Sequence, residues 1–457
     1  MKNIIYAIAL FFTGIVFFPS SCKKFVQVSL PKNQLVSSTV FADSAGANAA
    51  IAGIYVNMMQ SYALAFASGG ITLYTGLAGD ELYESGNNTT DEAFYNNAIT
   101  IINGDNAVLW ENAYQYIYDA NACIEGINSS TGITLSAKKS LSAEAYFIRS
   151  FLYFNLVNLY GGVPLVTTTD YNVGRLIGQS SQSQVYTQII GDLLTAQANL
   201  PQNSNGNTRA NYYAATALLA KVYLYNSHYS DADMEAEKVI NSGNYTLATD
   251  LNAVFLSSSP ETIWSFAPVV PNQNTWEGYF FVPTSAGVTP TYILTNSLMN
   301  SFEAGDLRKA AWINADTVSG QVYPYPYKYK AGETSVTPTE NYVVLRLAEQ
   351  YLIAAEAKAN SNDLAGATTY LNIIRQRAGL PVKSSLDQAS LLLAIEQERR
   401  SELFCEWGNR WFDLNRTKRA AAVFAADKPN WKPDAAIFPV PQAEITANPN
   451  LKQNPGY

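Results

Sequence analysis

A chain of 457 residues with 48% hydrophobic content is long enough to bury a large core, in one extended domain or in two lobes. Its net charge of −8 and isoelectric point near 4.9 exclude a phosphate-tracking nucleic-acid binder, which needs a stripe of Lys and Arg to displace counterions. Charged residues make up only 14% while tyrosines number 30, a surface chemistry that suits an uncharged polar ligand.

The chain opens with MKNIIYAIALFFTGIVFFPSSC, in which Lys2 precedes an apolar run from Ile4 to Phe18 and small residues lead to Cys22. The run is shorter than the ~20 residues a bilayer crossing needs, so it reads as a signal peptide. A cysteine placed directly after small residues resembles a bacterial lipobox, which implies removal of residues 1–21 and lipid on Cys22. Residues 22–42 are polar and irregular, as a tether should be.

Asp43 can cap a small-residue helix from Ala45 to Met59. A long, weakly periodic stretch from Ala63 to Asn103 follows, and loops of that length in a compact body are usually functional or disordered. Helical spacing resumes from Asn106 to Ile127 and from Leu135 to Tyr160, the latter with two apolar faces and a Gly161–Gly162 stop before Pro164. Gln182 to Leu200 forms another amphipathic helix. Two helix pairs then share a plan: Tyr212 to Tyr225 with Asp231 to Asn241, and Asn341 to Ala359 with Asp363 to Ala378. A helix–turn–helix unit of ~34 residues is the tetratricopeptide (TPR) period. Residues 242–340 between the pairs are aromatic, β-branched and broken by Pro and Gly, which predicts short strands and long loops.

Near the end, Leu392, Ile395, Leu403, Trp407, Trp411 and Leu414 recur every three or four residues, which predicts one helix from Leu391 to Arg416. Arg399 lies on that apolar line. A buried guanidinium must be paired, so Arg399 is expected to meet one or more of Glu402, Glu406 and Asp413 in a structural network.

Catalytic machinery is sparse. His228 is the one histidine and lies in a turn, which argues against a Ser/His/Asp arrangement or a His-based zinc site. Asp231, Asp233 and Glu235 begin like a calcium loop, but Ala236 and Ser242 stand where Gly and Glu are required. No metal-ligand spacing and no cofactor motif is present. Cys123 and Cys405 read as buried small hydrophobes. Acid pairs such as Asp80–Glu81 and Asp91–Glu92 leave a glycosidase as a reading, although adjacency is expected by chance among 37 acids.

Sugar recognition needs flat rings for C–H faces and amide or carboxylate groups for hydroxyls. Two loops offer that mixture: Asp80, Tyr83, Asn87 and Asn88 in one, and Asn272, Asn274, Trp276 and Tyr279 in the other. A structural alternative is that Trp276 packs inward and the asparagines only form turns. Tyr323, Tyr325, Tyr327 and Tyr329 alternate and would share one face of an extended segment.

Two strings, AEAYFIRSFLYFNLVNLYGGVPLV (Ala143 to Val166) and the Leu391 to Arg416 run with FPVPQAEITANPNLKQNPGY (Phe438 to Tyr457), make the chain similar to the SusD/RagB family of surface glycan-binding lipoproteins of Bacteroidetes. The resemblance implies a mostly α, TPR-like helical scaffold with an inserted region of long loops and short β-strands. Residues 43–241 would form an N-terminal helical region and 242–457 a C-terminal region, with the insert at 242–340 and the TPR-like pair at 341–378. It further implies a non-enzymatic protein, lipid-anchored on the outer membrane, that passes glycan to a SusC-like TonB-dependent transporter. A different class, a TPR-type adaptor for protein or peptide, also fits the helical pairs.

Overall fold

The computed structural model describes residues 37–60, 64–202, 206–332 and 337–457. The signal segment 1–21, Cys22 and most of the tether lie outside the described residues.

The fold is mostly α. After α1 (Ser44–Gln60) come α2 (Ile71–Ala78), β1 (Leu82–Glu84) and α3 (Thr89–Tyr95), all within the stretch expected to be loop. Every residue of α2 is buried, and a helix apolar on all sides has no amphipathic period to betray it. The helices α4 (Gly104–Ser129), α5 (Leu135–Tyr160), α6 (Gln182–Asn199) and α7 (Tyr212–Tyr225) start where their caps direct. Asn103, Thr134, Ser181 and Asn211 each accept from an amide in the first turn. Gly161, at φ +74°, closes α5 in a conformation that other residues resist.

These helices and α8 (Tyr229–Ile240) pack side by side in chain order. The array then skips residues 241–346 in sequence but not in space, because α8 packs directly on α10 (Leu347–Asn360), which in turn holds α11 (Leu364–Arg377) and α12 (Gln388–Leu403). The inserted region supplies β2 (Thr262–Phe266), the short α9 (Trp276–Phe281), β3 (Tyr292–Leu294) and a hairpin of β4 (Ile313–Val318) with β5 (Gln321–Pro326).

Two boundaries differ from the sequence expectation. The helix expected from Asn341 begins instead as β6 (Tyr342–Arg346), whose Val343 and Val344 suit a strand and whose antiparallel partner is β2. The single helix expected from Leu391 to Arg416 is broken at Phe404–Gly408 before α13 (Asn409–Arg416). Cys405 and Trp407 take left-handed backbone, φ +50° and +48°, which costs on the order of 1–2 kcal/mol each. Tertiary bonds impose it. The Cys405 amide donates to Glu81 Oε1 at 3.2 Å, the Trp407 amide to Thr72 Oγ1 at 3.1 Å, and the Trp407 indole to Val343 O at 2.9 Å. The tyrosine segment also departs from one face, because β5 stops at Pro326; Tyr325 and Tyr329 are buried while Tyr323 and Tyr327 stay part-exposed.

Arg399 is buried and paired as expected, but with Asp413 alone of the three acids, its Nε 2.6 Å from Oδ2. Glu402 and Glu406 turn instead to Arg346. That guanidinium, 1% exposed, meets Glu261 at 2.9 Å, Glu402 at 2.6 Å and Glu406 at 2.8 Å. Arg308 and Arg377 complete the shell around Glu402. The free thiols Cys123 and Cys405 are both buried.

The late segment Phe438–Asn454 returns to the first long helices. Phe438 N donates to Leu159 O at 2.7 Å, Asn106 Nδ2 to Pro439 O at 2.9 Å, and Asn454 Nδ2 to Tyr160 O at 2.9 Å. Phe438 itself sits edge-on to Phe94 and Tyr160.

Candidate ligand-binding surface

Tyr83 stands on β1, which pairs with β3 in the register Leu82↔Leu294, Tyr83↔Ile293 and Glu84↔Tyr292. Strand alternation sends Leu82 into the core and leaves Tyr83 part-exposed on the opposite side. The turn after β1 is set by Asn88, whose Oδ1 accepts from Thr90 N at 3.1 Å and so starts α3. That helix ends on Tyr95, whose ring lies 6.5 Å from Tyr83 at 59°. Beneath Tyr95, the Lys428 ammonium sits 3.9 Å from the ring centroid and donates to Leu77 O and Tyr95 O. Burial pushes this lysine down to about 7.

Two shallow grooves of about 250 and 240 Å³ share the Tyr83 and Tyr95 rings. Glu84, Asn87, Asn88 and Glu92 line one, and Thr295, Asn296, Ser297 and Asp427 the other. Partial burial, with Tyr323 and Tyr95 nearby, raises the Tyr83 phenol, so it remains a hydroxyl donor at neutral pH. Paired rings edged by amides and carboxylates can stack on an apolar sugar face while exchanging hydrogen bonds with its hydroxyls.

Of the residues singled out from the sequence, Asp80, Tyr83 and Asn87 come together here. Asp80, however, is 1% exposed and serves the interior: Arg410 binds both its oxygens at 2.9 Å and Arg400 adds a contact at 2.7 Å. Burial alone would raise its pKa, yet hydrogen bonds and charge from Arg410, with the charge of Arg400, hold it below the usual carboxylate value.

The second loop is corrected more strongly. Trp276 is buried with its indole donating to Met59 O at 2.9 Å, and Asn274 is buried with Oδ1 accepting from the Thr339 and Glu340 amides. Both fasten their loop to the body and present no free surface to a ligand. Tyr279 stays half-buried against Trp276, and neither of the two grooves includes it. Tyr95, Ser297 and Lys428 were missed. Tyr95 had a signal in DEAFYNN, an aromatic beside amides, whereas Lys428 joins through a contact more than 300 positions distant that no local pattern marks.

This mostly α array has the scaffold of SusD superfamily structures, and the chain belongs to the SusD/RagB family. Residues 25–224 match the SusD-like model described as starch-binding associating with outer membrane, and residues 307–457 match the SusD family model. SusD-like protein P2 of Formosa agariphila is 28% identical, covering 93% of this chain and 95% of its own length. A SusD superfamily structure from Bacteroides vulgatus superposes with a TM-score of 0.82 at 21% identity, over 91% of this chain and 99% of its own. A laminarin-binding SusD-like protein superposes at 0.75 with 26% identity, over 90% and 99%.

Proposed function

We propose that this protein is a cell-surface glycan-binding lipoprotein, not an enzyme, that captures oligosaccharide and hands it to a SusC-like TonB-dependent outer-membrane transporter. The observation that carries the reading is the Tyr83–Tyr95 ring pair bordered by Asn87 and Asn88, set on the scaffold of a family described as starch-binding. The likeness to a laminarin-binding protein makes β-glucan the first ligand to test and starch oligosaccharides the second. In this reading residues 43–241 and 242–457 are two regions of one scaffold, and the β1–α3 segment carries the binding rings while Thr295, Asn296 and Ser297 of the insert border them.

Shallow polar grooves desolvate hydroxyls with modest gain, so the dissociation constant for one oligosaccharide is expected to be on the order of micromolar to millimolar. Tyr83→Ala and Tyr95→Ala should each weaken binding roughly tenfold, as removal of a stacked ring does, with the melting temperature nearly unchanged. Isothermal titration across a panel of oligosaccharides checks this; if both variants bind like the parent, the rings are not the site.

Among the described residues no helix is long and apolar enough to cross a membrane. In this reading the anchor is lipid on Cys22. Several acyl chains, each CH₂ contributing about 0.8 kcal/mol on burial, suffice for stable anchoring. Cys22→Ala should move the protein from the membrane to the soluble fraction; mass spectrometry finding an unmodified Cys22 on membrane-bound parent protein would end the idea.

A further inference from the structure

Within the helical array, α7, α10, α12 and α13 enclose a pocket of about 520 Å³, within the ~300–1,000 Å³ usual for small-molecule sites. One wall is apolar: Leu224, Leu392 and Leu393, the last 51% exposed. The floor is ionic. Asp413 receives Arg399 at 2.6 Å and Arg416 at 2.9 Å, and Arg416 also grips Glu356 at 2.6 Å.

This lattice is not closed. Arg399 lines the pocket and spends Nε and Nη2 on Asp413, while its Nη1, closed off from solvent, has no hydrogen-bond partner. A guanidinium N–H so placed loses water without replacement, at a cost that an incoming anion would cancel. Lys418 stands on the rim, exposed, in left-handed backbone at φ +59°. Around the pocket Arg399, Arg416, Lys418 and Arg419 face Glu356, Glu396 and Asp413, four cations against three anions, which leaves one positive charge over.

We infer that this pocket is a second ligand site, separate from the tyrosine grooves, that takes a small amphipathic carboxylate. Its carboxylate would sit at Lys418 and reach Arg399 Nη1 once the groups that now cover that atom shift aside, with its apolar part against Leu392 and Leu393. A neutral sugar suits it poorly, since no exposed ring pair lines the leucine wall and the unmatched group is a cation.

The test uses purified full-length protein titrated with 4-phenylbutyrate and, separately, with the neutral 4-phenylbutanol. The acid should bind saturably, with a dissociation constant on the order of 0.1–1 mM for a ligand of this size, and at least ~10-fold more tightly than the alcohol. Leu393→Asp and Lys418→Gln should each weaken the acid severalfold while melting temperature and glucan binding stay at parental values. Equal binding of acid and alcohol, parental affinity in both variants, or no saturable binding of the acid would overturn the assignment.

Discussion

Arg346→Ala should lower stability by about 3–5 kcal/mol, or leave no folded protein at physiological temperature, because it removes a guanidinium shared by three buried acids at once. Arg346 lies on the last residue of β6 and faces Glu261, Glu402 and Glu406 at 2.9, 2.6 and 2.8 Å. Burial opposes charge on Glu402 and Glu406, and the charges of Arg377, Arg346 and Lys328 around them hold both below the usual glutamate value. With the guanidinium gone, Glu402 keeps Arg308 and Arg377, Glu261 keeps Arg377 and Glu406 keeps Lys328, but the buried acids then share fewer cations, and protonation or incomplete compensation costs stability. Arg346→Lys is a useful companion, since one ammonium cannot reproduce a fork that serves three partners, and it should recover only part of the loss. Thermal unfolding measured by circular dichroism decides the matter. A melting temperature unchanged in Arg346→Ala would show that the cluster is not holding the fold.

Glu277→Gln should act in the opposite direction, stabilising the protein at pH 8 by roughly 2–4 kcal/mol and hardly at all at pH 5. The Glu277 side chain is 2% exposed, no ion pair reaches it, and neither oxygen has a hydrogen bond of normal geometry. Its surroundings are the hydroxyls of Tyr342 and Thr72, with Tyr329, Cys405, Lys328 and Glu406 near by, and the Lys328 charge is already engaged by Glu406. Burial pushes the carboxyl up to about 8 from 4.5. Between those values the folded chain keeps a proton that the unfolded chain has released, so folding loses stability as pH rises through the window. Glu81, also raised to about 8 by burial and by Asp80, works in the same sense. Lys428 runs the other way above pH 7, where the fold lacks a proton that the unfolded chain retains up to 10.5. The difference between variant and parent cancels both and isolates Glu277. Parallel curves of melting temperature against pH for the two proteins would refute the assignment.

The long amphipathic helices were legible because each needs only a local period and a local cap: Thr134 and Gly161 bracket α5 without reference to anything distant. What sequence reasoning missed depended on residues far away. Helix α2 hides because all its sides are covered. The break at Phe404–Gly408 hides because Leu403, Trp407, Trp411 and Leu414 keep a helical spacing across it, and only bonds to Glu81, Thr72 and Val343 bend the chain. Asp80 and Trp276 show the same limit at the candidate site. Their residue types suit sugar binding, but Arg410 and Met59, lying 330 and 217 positions away, claim them for the interior. Tyr83 and Asn87 were found because a three-residue edge strand and its polar turn leave such side chains outside.

The return of Phe438 to Asn454 onto α4 and α5 bears on how the molecule is made. Asn106 and Pro439 lie 333 positions apart, and the bond between Asn454 and Tyr160 spans 294. Contacts of such sequence separation demand loop closure before they return any stability, which slows folding. Until residues 438–454 dock, the surface that includes Phe94 and Tyr160 lacks its cover, and a nascent chain halted short of them shows sticky aromatic surface. Synthesis and maturation are thereby coupled: the first long helices can form early, but their shared side is sealed by residues translated about 300 positions later.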